Sequence, residues 1–266
     1  MNININRFKS NINTGRTQFG LWNGLTDLYA AEILAGAGFD FVLIDAEHGP
    51  FDLRTIISQL QAMSKFSVSP IIRPPVGDPV IIKQLLDAGA QTLLIPMVET
   101  AAQAEMLVKS MLYPPRGIRG VGTALSRAAQ WNRTNNYFRD ADEQMCLLVQ
   151  VESVAGYNAL DEILAVDGID GVFIGPADLA GSMGFLGQPT HPEVIDAVER
   201  GLDSIRLAGK AAGTLAVTED LARQYEEAGA NIIGVGVDLV ILAKATKSLA
   251  EKYKPELKNI TSNTKY

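Results

Sequence analysis

The chain has 266 residues, a length that suits one α/β barrel domain or two small domains. Its formal net charge of −7 argues against a nucleic-acid-binding protein, which would present a basic face, but leaves anionic small substrates open. Cys146 is the only cysteine, which excludes an intrachain disulfide and a thiolate zinc cluster, and no apolar run reaches the roughly 18 residues of a membrane-spanning helix.

Short apolar runs recur along the chain and predict buried parallel strands. Each run is brief, rich in β-branched residues or leucine, and lacks the strict alternation of a strand with one solvated face. There are eight of them, in chain order QFGLW (18–22), FVLID (41–45), SPIIRP (69–74), TLLIPMV (92–98), CLLVQVE (146–152), GVFIGPA (171–177), AAGTLAV (211–217) and NIIGVGV (231–237).

Amphipathic segments lie between these strands and predict helices. Several begin with Asp, Thr or His-Pro and end on Gly, which are start and stop signals of helices. They are LYAAEILAGAG (28–38), DPVIIKQLLDAGA (78–90), TAAQAEMLVKSML (100–112), HPEVIDAVERGLDSIRLAG (191–209) and TEDLARQYEEAGA (218–230).

The junctions between helices and strands repeat one form, a glycine and a short polar link before a buried strand, as in GFDFVLI, GAQTLLI, GIDGVFI and GANIIGV. Eight such βα units predict a single (β/α)8 TIM barrel over residues 1–266, with a doubly wound open sheet as the alternative. One connection departs from this regular alternation of strands and helices, the long excursion at 113–145 between the fourth and fifth strands. Connections of that length are usually functional. The polar tail from about residue 251 is expected to be disordered or bound to a partner.

In such a barrel the active site lies at the carboxyl ends of the strands. Side chains suited to a site follow most of the predicted strands there, so different strands would deliver them to one mouth. They are Trp22 and Asn23 on the first strand, Asp45, Glu47 and His48 on the second, Arg73 on the third, Gln150 and Glu152 on the fifth, Asp178 on the sixth and Leu215 on the seventh.

Glu152 and Asp178 are carboxylates with no histidine close in sequence. Oxygen ligands of this kind suit a hard divalent ion such as Mg²⁺ or Mn²⁺. The alternative is structural, with Asp178 capping a helix and Glu152 in an ion pair at a strand end. Gln150 and Glu152 are two residues apart on one strand, so both point into the barrel if either does.

Arg73 and His48 are candidates for the chemistry itself. A guanidinium at the mouth can hold a carboxylate or an enolate oxygen, and the alternative is a structural ion pair with Glu47 or Glu99. His48 with Asp45 can form a base and its orienting acid, or else a hydrogen-bonded structural histidine. The second histidine, His191, is expected to start a helix.

A barrel aldolase that forms a Schiff base needs a desolvated lysine on an inner strand, and none of the eight predicted strands carries one. Carbonyl chemistry would therefore run through a metal enolate. The glycine-rich GIRGVG (117–122) can cradle an anion, but it lacks the Lys-Ser/Thr pair of a P-loop.

Six segments, taken together in this order and spacing, resemble the HpcH/HpaI family of class II pyruvate aldolases. The resemblance spans about residues 5–250 and implies a barrel whose last helix is exchanged between subunits of a hexamer, a trimer of dimers. The segments are IDAEHGP, IIRPP, LLIPMVET, YPPRGIRGVGTALSRA, QVES and VFIGPADLAGSMG.

The resemblance also implies roles for individual residues. Glu152 and Asp178 match the family's metal ligands, Arg73 the arginine that steadies the keto oxygen and enolate, and His48 with Asp45 the acid/base pair. Glu47 is expected to support the water shell of the metal, Asp87 to reach a neighbouring subunit's site, and the 120–127 loop to face the aldehyde. The substrate-lining positions are Gln150, Ala177, Trp22 and Leu215.

The activity that the resemblance implies is divalent-metal-dependent (Mg²⁺, Mn²⁺ or Co²⁺), reversible cleavage of a 4-hydroxy-2-oxo acid. The expected substrate is 4-hydroxy-2-oxoheptane-1,7-dioate, split to pyruvate and succinate semialdehyde through a metal-bound pyruvate enolate. The alternatives are a 2-keto-3-deoxy-sugar-acid aldolase, an acyl-CoA lyase of the malyl or citramalyl type, and a non-catalytic binding barrel. Neither a nucleic acid nor a membrane is expected as a partner, and the protein is expected in the cytoplasm.

Overall fold

The computed structural model describes residues 1–254. The eight predicted strands all form, and each is parallel to its neighbours in a closed barrel with the order β1-β2-β3-β4-β5-β6-β7-β8. The closure rules out the open-sheet alternative. The strands are β1 Gln18–Asn23, β2 Phe41–Asp45, β3 Ser69–Arg73, β4 Thr92–Ile95, β5 Cys146–Val151, β6 Gly171–Ile174, β7 Ala211–Leu215 and β8 Ile232–Val237.

Helices surround the barrel, and all five predicted ones are confirmed with slightly shorter bounds. Side-chain caps explain several of the starts, for example Asp78, whose carboxylate accepts hydrogen bonds from two backbone N–H groups of the first turn. Within the described residues the helices are α1 Arg7–Asn13, α2 Leu28–Ala35, α3 Leu53–Met63, α4 Pro79–Ala88, α5 Ala101–Met111, α6 Tyr137–Gln144, α7 Val154–Asn158, α8 Leu160–Leu164, α9 Pro176–Ser182, α10 Pro192–Leu207, α11 Glu219–Glu227 and α12 Asp238–Tyr253.

The apolar side chains form two main layers. One fills the space between the strands and the surrounding helices, and the other fills the barrel interior, where Phe41, Leu43 and Phe173 are buried. Helix α1 closes the amino-terminal end of the barrel with Phe8, whose ring meets that of Phe41 edge-on at 5.7 Å between centroids. The opposite end, where the strands finish, therefore remains as the mouth.

The excursion at 113–145 lies at the end of the barrel that α1 closes. It links α5 to β5, and connections from a helix to the next strand run along the amino-terminal end of a barrel. Its contacts agree, because the amino terminus of Met1 donates to the carbonyl of Arg133 at 3.0 Å and the N–H of Asn135 donates to the carbonyl of Met1 at 2.8 Å.

Helix α12 continues through Tyr253, so the beginning of the predicted polar tail is helical, and its remainder from 255 lies outside the described residues. Apart from Asp238, no residue of α12 is buried. Among residues 1–254 no helix is both long and apolar enough to cross a membrane.

Candidate active site

Strand alternation places one candidate side chain from each of β1, β2, β3, β5 and β7 inside the barrel at its mouth, namely Trp22, Asp45, Arg73, Gln150 and Leu215. The predicted candidate Asn23 instead points outward, where its Nδ2 donates to Gln59 Oε1 of α3 at 2.9 Å. Asp45 pairs with Arg73 in the register of β2 and β3, and both are buried. Trp22 and Leu215 face each other across β8, because a Cβ on Gly234 would collide with both side chains. The mouth therefore has a polar half, which contains Asp45 and Arg73, and an apolar half, which contains Trp22 and Leu215.

The polar half centres on Arg73. Its Nε donates to Asp45 Oδ1 at 2.9 Å, its Nη2 donates to Asp45 Oδ2 at 2.6 Å, and its Nη1 lies 3.0 Å from Glu47 Oε2. Burial alone would lower the pKa of Arg73, but the hydrogen bonds to Asp45 and the charges of Asp45 and Glu47 outweigh it and raise that pKa. The guanidinium is therefore a fixed positive charge inside the mouth.

The turn after β2 is folded around Asp45. Its Oδ1 also accepts hydrogen bonds from the backbone N–H groups of Glu47 at 3.2 Å and His48 at 3.4 Å. Gly49 N–H donates to the Asp45 carbonyl at 3.0 Å, and a Cβ at Gly49 would collide with that carbonyl. The sequence DAEHG thus forms a tight turn that holds Glu47 and His48 at the mouth.

The predicted pairing of the His48 ring with Asp45 is wrong. Both oxygens of Asp45 are taken by Arg73, and the carboxylate nearest the ring is that of Glu47, with Oε2 3.9 Å from His48 Nε2. Glu47 is largely buried, and burial raises its pKa above the ordinary value. The His48 side chain is 67% exposed. Glu47 Oε2 thus lies between the guanidinium and the imidazole.

Glu152 is 3% exposed and is held at both oxygens. Its Oε1 accepts the backbone N–H of Met97 at 2.9 Å, and its Oε2 accepts from Gln150 Nε2. Burial raises the pKa of Glu152 to about 7, and the negative charges of Asp178 and Glu47 act in the same direction. An acid of this kind gains stabilisation from a neighbouring cation.

Asp178 and Ala177 lie in the first turn of α9, directly after β6, and both are exposed. The side chain of Asp178 makes no hydrogen bond or ion pair within the range 1–254, although its charge raises the pKa of both Glu47 and Glu152. It is not the side-chain cap of α9, because that helix has no such cap.

The donor set at the mouth fits a hard divalent ion. Glu152 and Asp178 supply carboxylates, and the buried Gln150 Oε1 has no hydrogen-bond partner within the described chain. The described residues contain no cluster of three or more His, Cys, Asp or Glu side chains in metal-binding geometry. Ions such as Mg²⁺ commonly bind through one or two carboxylates and keep water or substrate oxygens as their other ligands.

Asp87 and the 120–127 loop are not at this mouth. Asp87 lies in the last turn of α4 at the closed end of the barrel. There its Oδ1 accepts from Arg119 Nη2 at 3.0 Å, and its carbonyl accepts from Ser126 Oγ and Ala128 N–H. Within one chain the 120–127 loop therefore lies away from the mouth, so its predicted place at the aldehyde end requires the mouth of a neighbouring subunit. The loop follows a helix rather than a strand, so it lies at the opposite end.

Two other polar residues have structural roles. His191 starts α10, with Nδ1 accepting from Glu193 N–H at 3.3 Å and the ring stacked on Phe185 at 3.8 Å, as predicted. Asp238 accepts hydrogen bonds from the N–H groups of Gly24 and Leu25, which fixes the chain after β1.

Sequence reasoning missed two positions that shape the site. The first is Met97, whose backbone N–H binds Glu152 from a left-handed conformation (φ 54°) that no sequence signal marks. The second is Gly175, where a Cβ would lie 2.7 Å from Glu152 Oε2 and 3.1 Å from Gln150 Nε2. The glycine directly after a strand and before a proline was a signal for that close approach.

Comparison with known proteins finds relatives over nearly the whole chain. The family model described as HpcH/HpaI aldolase/citrate lyase matches residues 18–245. A hydroxypyruvate/pyruvate aldolase from Pseudomonas aeruginosa is 55% identical over 254 residues, which is 96% of this chain and 95% of that protein. A 4-hydroxy-2-oxo-heptane-1,7-dioate aldolase from Salmonella heidelberg (strain SL476) is 53% identical over 253 residues, which is 95% of this chain and 96% of that protein.

The fold has a close counterpart among solved structures. The crystal structure of an HpcH/HpaI aldolase/citrate lyase family protein from Burkholderia cenocepacia J2315 superposes with a TM-score of 0.90 at 39% identity. The match covers 94% of this chain and 99% of that one. The resemblance noted in the sequence is thereby confirmed in both sequence and fold.

Proposed function

The chain belongs to the HpcH/HpaI aldolase/citrate lyase family and is a carbon–carbon lyase of the class II aldolase type, and we propose that it cleaves 4-hydroxy-2-oxo acids to pyruvate and an aldehyde. The proposed substrate is 4-hydroxy-2-oxoheptane-1,7-dioate, with succinate semialdehyde as the aldehyde product. The observation that carries this assignment is a buried, fixed guanidinium, that of Arg73, in the same mouth as the buried carboxylate of Glu152.

Glu152 and Asp178 would hold a divalent ion, Mg²⁺, Mn²⁺ or Co²⁺, with the free Gln150 Oε1 available to the ion or its water. A bound ion would supply Lewis-acid polarisation of the substrate 2-oxo group and offset the negative charge that develops there. The raised pKa of Glu152 supports this role, because a cation relieves the cost of ionising a buried carboxyl.

Arg73 would stabilise the enolate oxygen that forms when the C3–C4 bond breaks. Asp45 holds the guanidinium plane with two hydrogen bonds, so the charge is positioned before substrate arrives and needs no reorganisation during the reaction. A preorganised charge aimed at a developing oxyanion is usually the largest single contribution to catalysis.

His48 would act as the base. Its exposed ring takes the proton from the 4-hydroxyl oxygen, the C3–C4 bond breaks, the carbonyl of the aldehyde forms, and the bond's electron pair becomes that of the pyruvate enolate. A proton then returns to C3 to give pyruvate. Glu47, 3.9 Å from the ring, would stabilise the imidazolium in place of the Asp45 partner that the sequence suggested.

Trp22, Leu215 and Ala177 would form the apolar wall against which the carbon chain of the substrate lies. Trp22 is buried and packs on Phe173 at 5.5 Å between ring centroids, whereas Ala177 is exposed at the start of α9. A rigid wall opposite the polar half would select for the size of the aldehyde.

The test is pyruvate release from racemic 4-hydroxy-2-oxoheptane-1,7-dioate, measured after EDTA treatment and again with Mg²⁺, Mn²⁺ or Co²⁺ restored. Activity that vanishes, returns with metal, and survives borohydride in the presence of pyruvate supports the proposal. Activity that is indifferent to chelation overturns the role of Glu152 and Asp178. Faster cleavage of a 2-keto-3-deoxy-sugar acid, or of malyl- or citramalyl-CoA, than of 4-hydroxy-2-oxoheptane-1,7-dioate would assign that compound as the substrate instead.

A second candidate donor is hydroxypyruvate, favoured by the 55% identical relative named a hydroxypyruvate/pyruvate aldolase. It uses the same enolate chemistry with a hydroxyl on the nucleophilic carbon. The two donors are distinguished by aldol synthesis from one aldehyde, with pyruvate and hydroxypyruvate in separate reactions. The donor that gives the higher rate of product formation is the preferred one.

We also propose that the protein is a homo-oligomer, a hexamer built as a trimer of dimers with α12 exchanged within each dimer. The support is α12 itself, which exposes Leu239, Val240, Ile241 and Leu242 in a single chain. Four consecutive exposed aliphatic residues are costly unless another surface covers them. Asp87, at the closed end of its own barrel, would then contribute to a neighbouring subunit's mouth.

A further inference from the structure

The segment after β4 crosses the end of β5 and binds it at two points. Val98 N–H donates to the carbonyl of Gln150 at 3.0 Å, and Met97 N–H donates to Glu152 Oε1 at 2.9 Å. These bonds reach Gln150 on β5 and Glu152 directly after it, the two residues of this segment assigned to the metal site. We call Pro96, Met97 and Val98 the strap.

The strap has an unusual backbone at one residue. Met97 has φ 54°, a left-handed conformation that is unfavourable for a residue with a Cβ, and its side chain is 48% exposed. Burial of the side chain therefore does not explain the conformation. The strained residue is also the one whose backbone N–H donates to the Glu152 carboxylate. Backbone strain of this kind persists only where surrounding contacts impose it.

Contacts on both sides keep Glu152 in place. A Cβ on Gly175 would lie 2.7 Å from Glu152 Oε2, so the junction of β6 and α9 closes one side of the carboxylate. A Cβ on Gly156 would lie 2.7 Å from the Val98 carbonyl, so α7 packs directly against the strap on its outer side. The carboxylate is thus confined between the junction of β6 and α9 and the strap.

We propose that Met97 is a positioning residue whose left-handed backbone aims its N–H at Glu152 and fixes that carboxylate for the divalent ion. The inference rests on the metal site of the proposed function. Partners of this kind, which orient a ligand without touching the metal, commonly change metal affinity by about 10- to 100-fold when they are lost. The side chain of Met97 is incidental to this role, and the backbone conformation is what matters.

Three substitutions at one position separate backbone from side chain. Met97→Gly and Met97→Asn both accept a positive φ, whereas Met97→Val resists it because its β-branched side chain crowds the backbone. Met106→Val, on the exposed face of α5 at 46% exposure, is the matched control for the same replacement at a helical position.

The measurement is Mn²⁺ affinity of the full-length, EDTA-stripped protein by calorimetry, together with its metal-free Tm. We expect Met97→Gly, Met97→Asn and Met106→Val to bind Mn²⁺ within about twofold of the parent, and Met97→Val to bind about tenfold more weakly or worse. Unchanged affinity in Met97→Val, or equal weakening in all three Met97 variants, would overturn the proposal.

A crystal structure of metal-free Met97→Val separates this proposal from the metal site itself. The proposal predicts that the bond from residue 97 N–H to Glu152 Oε1 breaks and the carboxylate turns. If the parent binds no Mn²⁺, the proposed metal site fails, yet the structure still decides whether Met97 positions Glu152. A Glu152 side chain left in its original place would contradict the positioning role.

Discussion

Arg73 and Asp45 lie opposite each other on β3 and β2, and two parallel hydrogen bonds of 2.9 and 2.6 Å join the guanidinium to the carboxylate. This pair fixes the orientation of the one buried cation assigned to the enolate. Bidentate geometry is specific to arginine, since lysine presents a single point charge. The pair therefore predicts a strong difference between arginine and lysine at position 73.

Arg73→Lys keeps a positive charge among buried carboxylates, so we expect a folded protein. The rate of pyruvate release should fall by about 100-fold or more, the usual loss when a preorganised oxyanion donor is removed. Arg16→Lys is the control, because Arg16 forms only an exposed ion pair with Asp40. Equal rates in Arg73→Lys and the parent would remove Arg73 from the mechanism.

The two histidines should behave in opposite ways. His48→Asn removes the proposed base from an exposed side chain, so kcat should fall by about 100-fold or more with little change in Tm. His191→Ala removes a helix cap, so the free energy of unfolding should fall by about 1 kcal/mol and lower Tm, whereas kcat should be retained. Full activity in His48→Asn would transfer the base role to another group.

Metal binding should depend on pH through Glu152. The pKa of Glu152 in the folded state, about 7, lies above the ordinary value of 4.5. Between pH 4.5 and pH 7, Glu152 therefore keeps its proton in the metal-free folded state and has lost it in the unfolded state. The contribution of Glu152 to stability is therefore present below pH 4.5 and lost as pH rises to about 7.

The same proton must leave when the ion binds. We expect Mn²⁺ affinity at pH 6 to be about tenfold weaker than at pH 8, with proton release detectable in buffers of different ionisation enthalpy. Glu152→Gln is the control, which should bind weakly at both pH values. Identical affinity of the parent at pH 6 and pH 8 would show that Glu152 is not the titrating ligand.

Gly175→Ala should disturb the site without disturbing the barrel. The added Cβ would lie 2.7 Å from Glu152 Oε2 and would push the carboxylate away from its position, so both metal affinity and kcat should fall. Gly181→Ala, in the same helix region, is the control, because its Cβ meets only Leu186 at an ordinary 3.4 Å. A fully active Gly175→Ala would show that this close approach is not needed.

The exposed face of α12 predicts an assembly defect. Ile241→Asp places a charge among aliphatic residues that we expect another subunit to cover, so the mass measured by analytical ultracentrifugation should fall. Leu207→Asp, at an exposed position that ends α10, should leave the mass unchanged. A parent protein that sediments as a monomer would contradict the proposed hexamer.

The barrel was predictable because its signals are local and repeated. Each strand is a short apolar run, and the glycine before it marks the end of a helix, as at Gly89, whose φ of 108° suits only glycine well. The predicted run at 92–98 was too long, since β4 ends at Ile95 and the left-handed Met97 turns the chain out of the sheet.

The detailed partners within the site were less predictable. Position along a strand indicates which side chains reach the mouth, and it placed Asp45, Arg73, Gln150 and Glu152 there. It does not indicate which charges pair, and Asp45 binds Arg73 rather than the His48 ring because the guanidinium reaches both of its oxygens. The role of the Met97 N–H depends on backbone geometry, which residue type does not specify.

The central claim is that this mouth forms and holds a pyruvate enolate with the help of a divalent ion. Deuterium incorporation into the methyl group of pyruvate in D₂O, followed by mass spectrometry without any aldehyde, measures enolate formation directly. We expect exchange with Mg²⁺ or Mn²⁺ present, none after EDTA, and a large loss of exchange in Arg73→Lys. Exchange that proceeds at the same rate after EDTA and in Arg73→Lys would contradict the central claim.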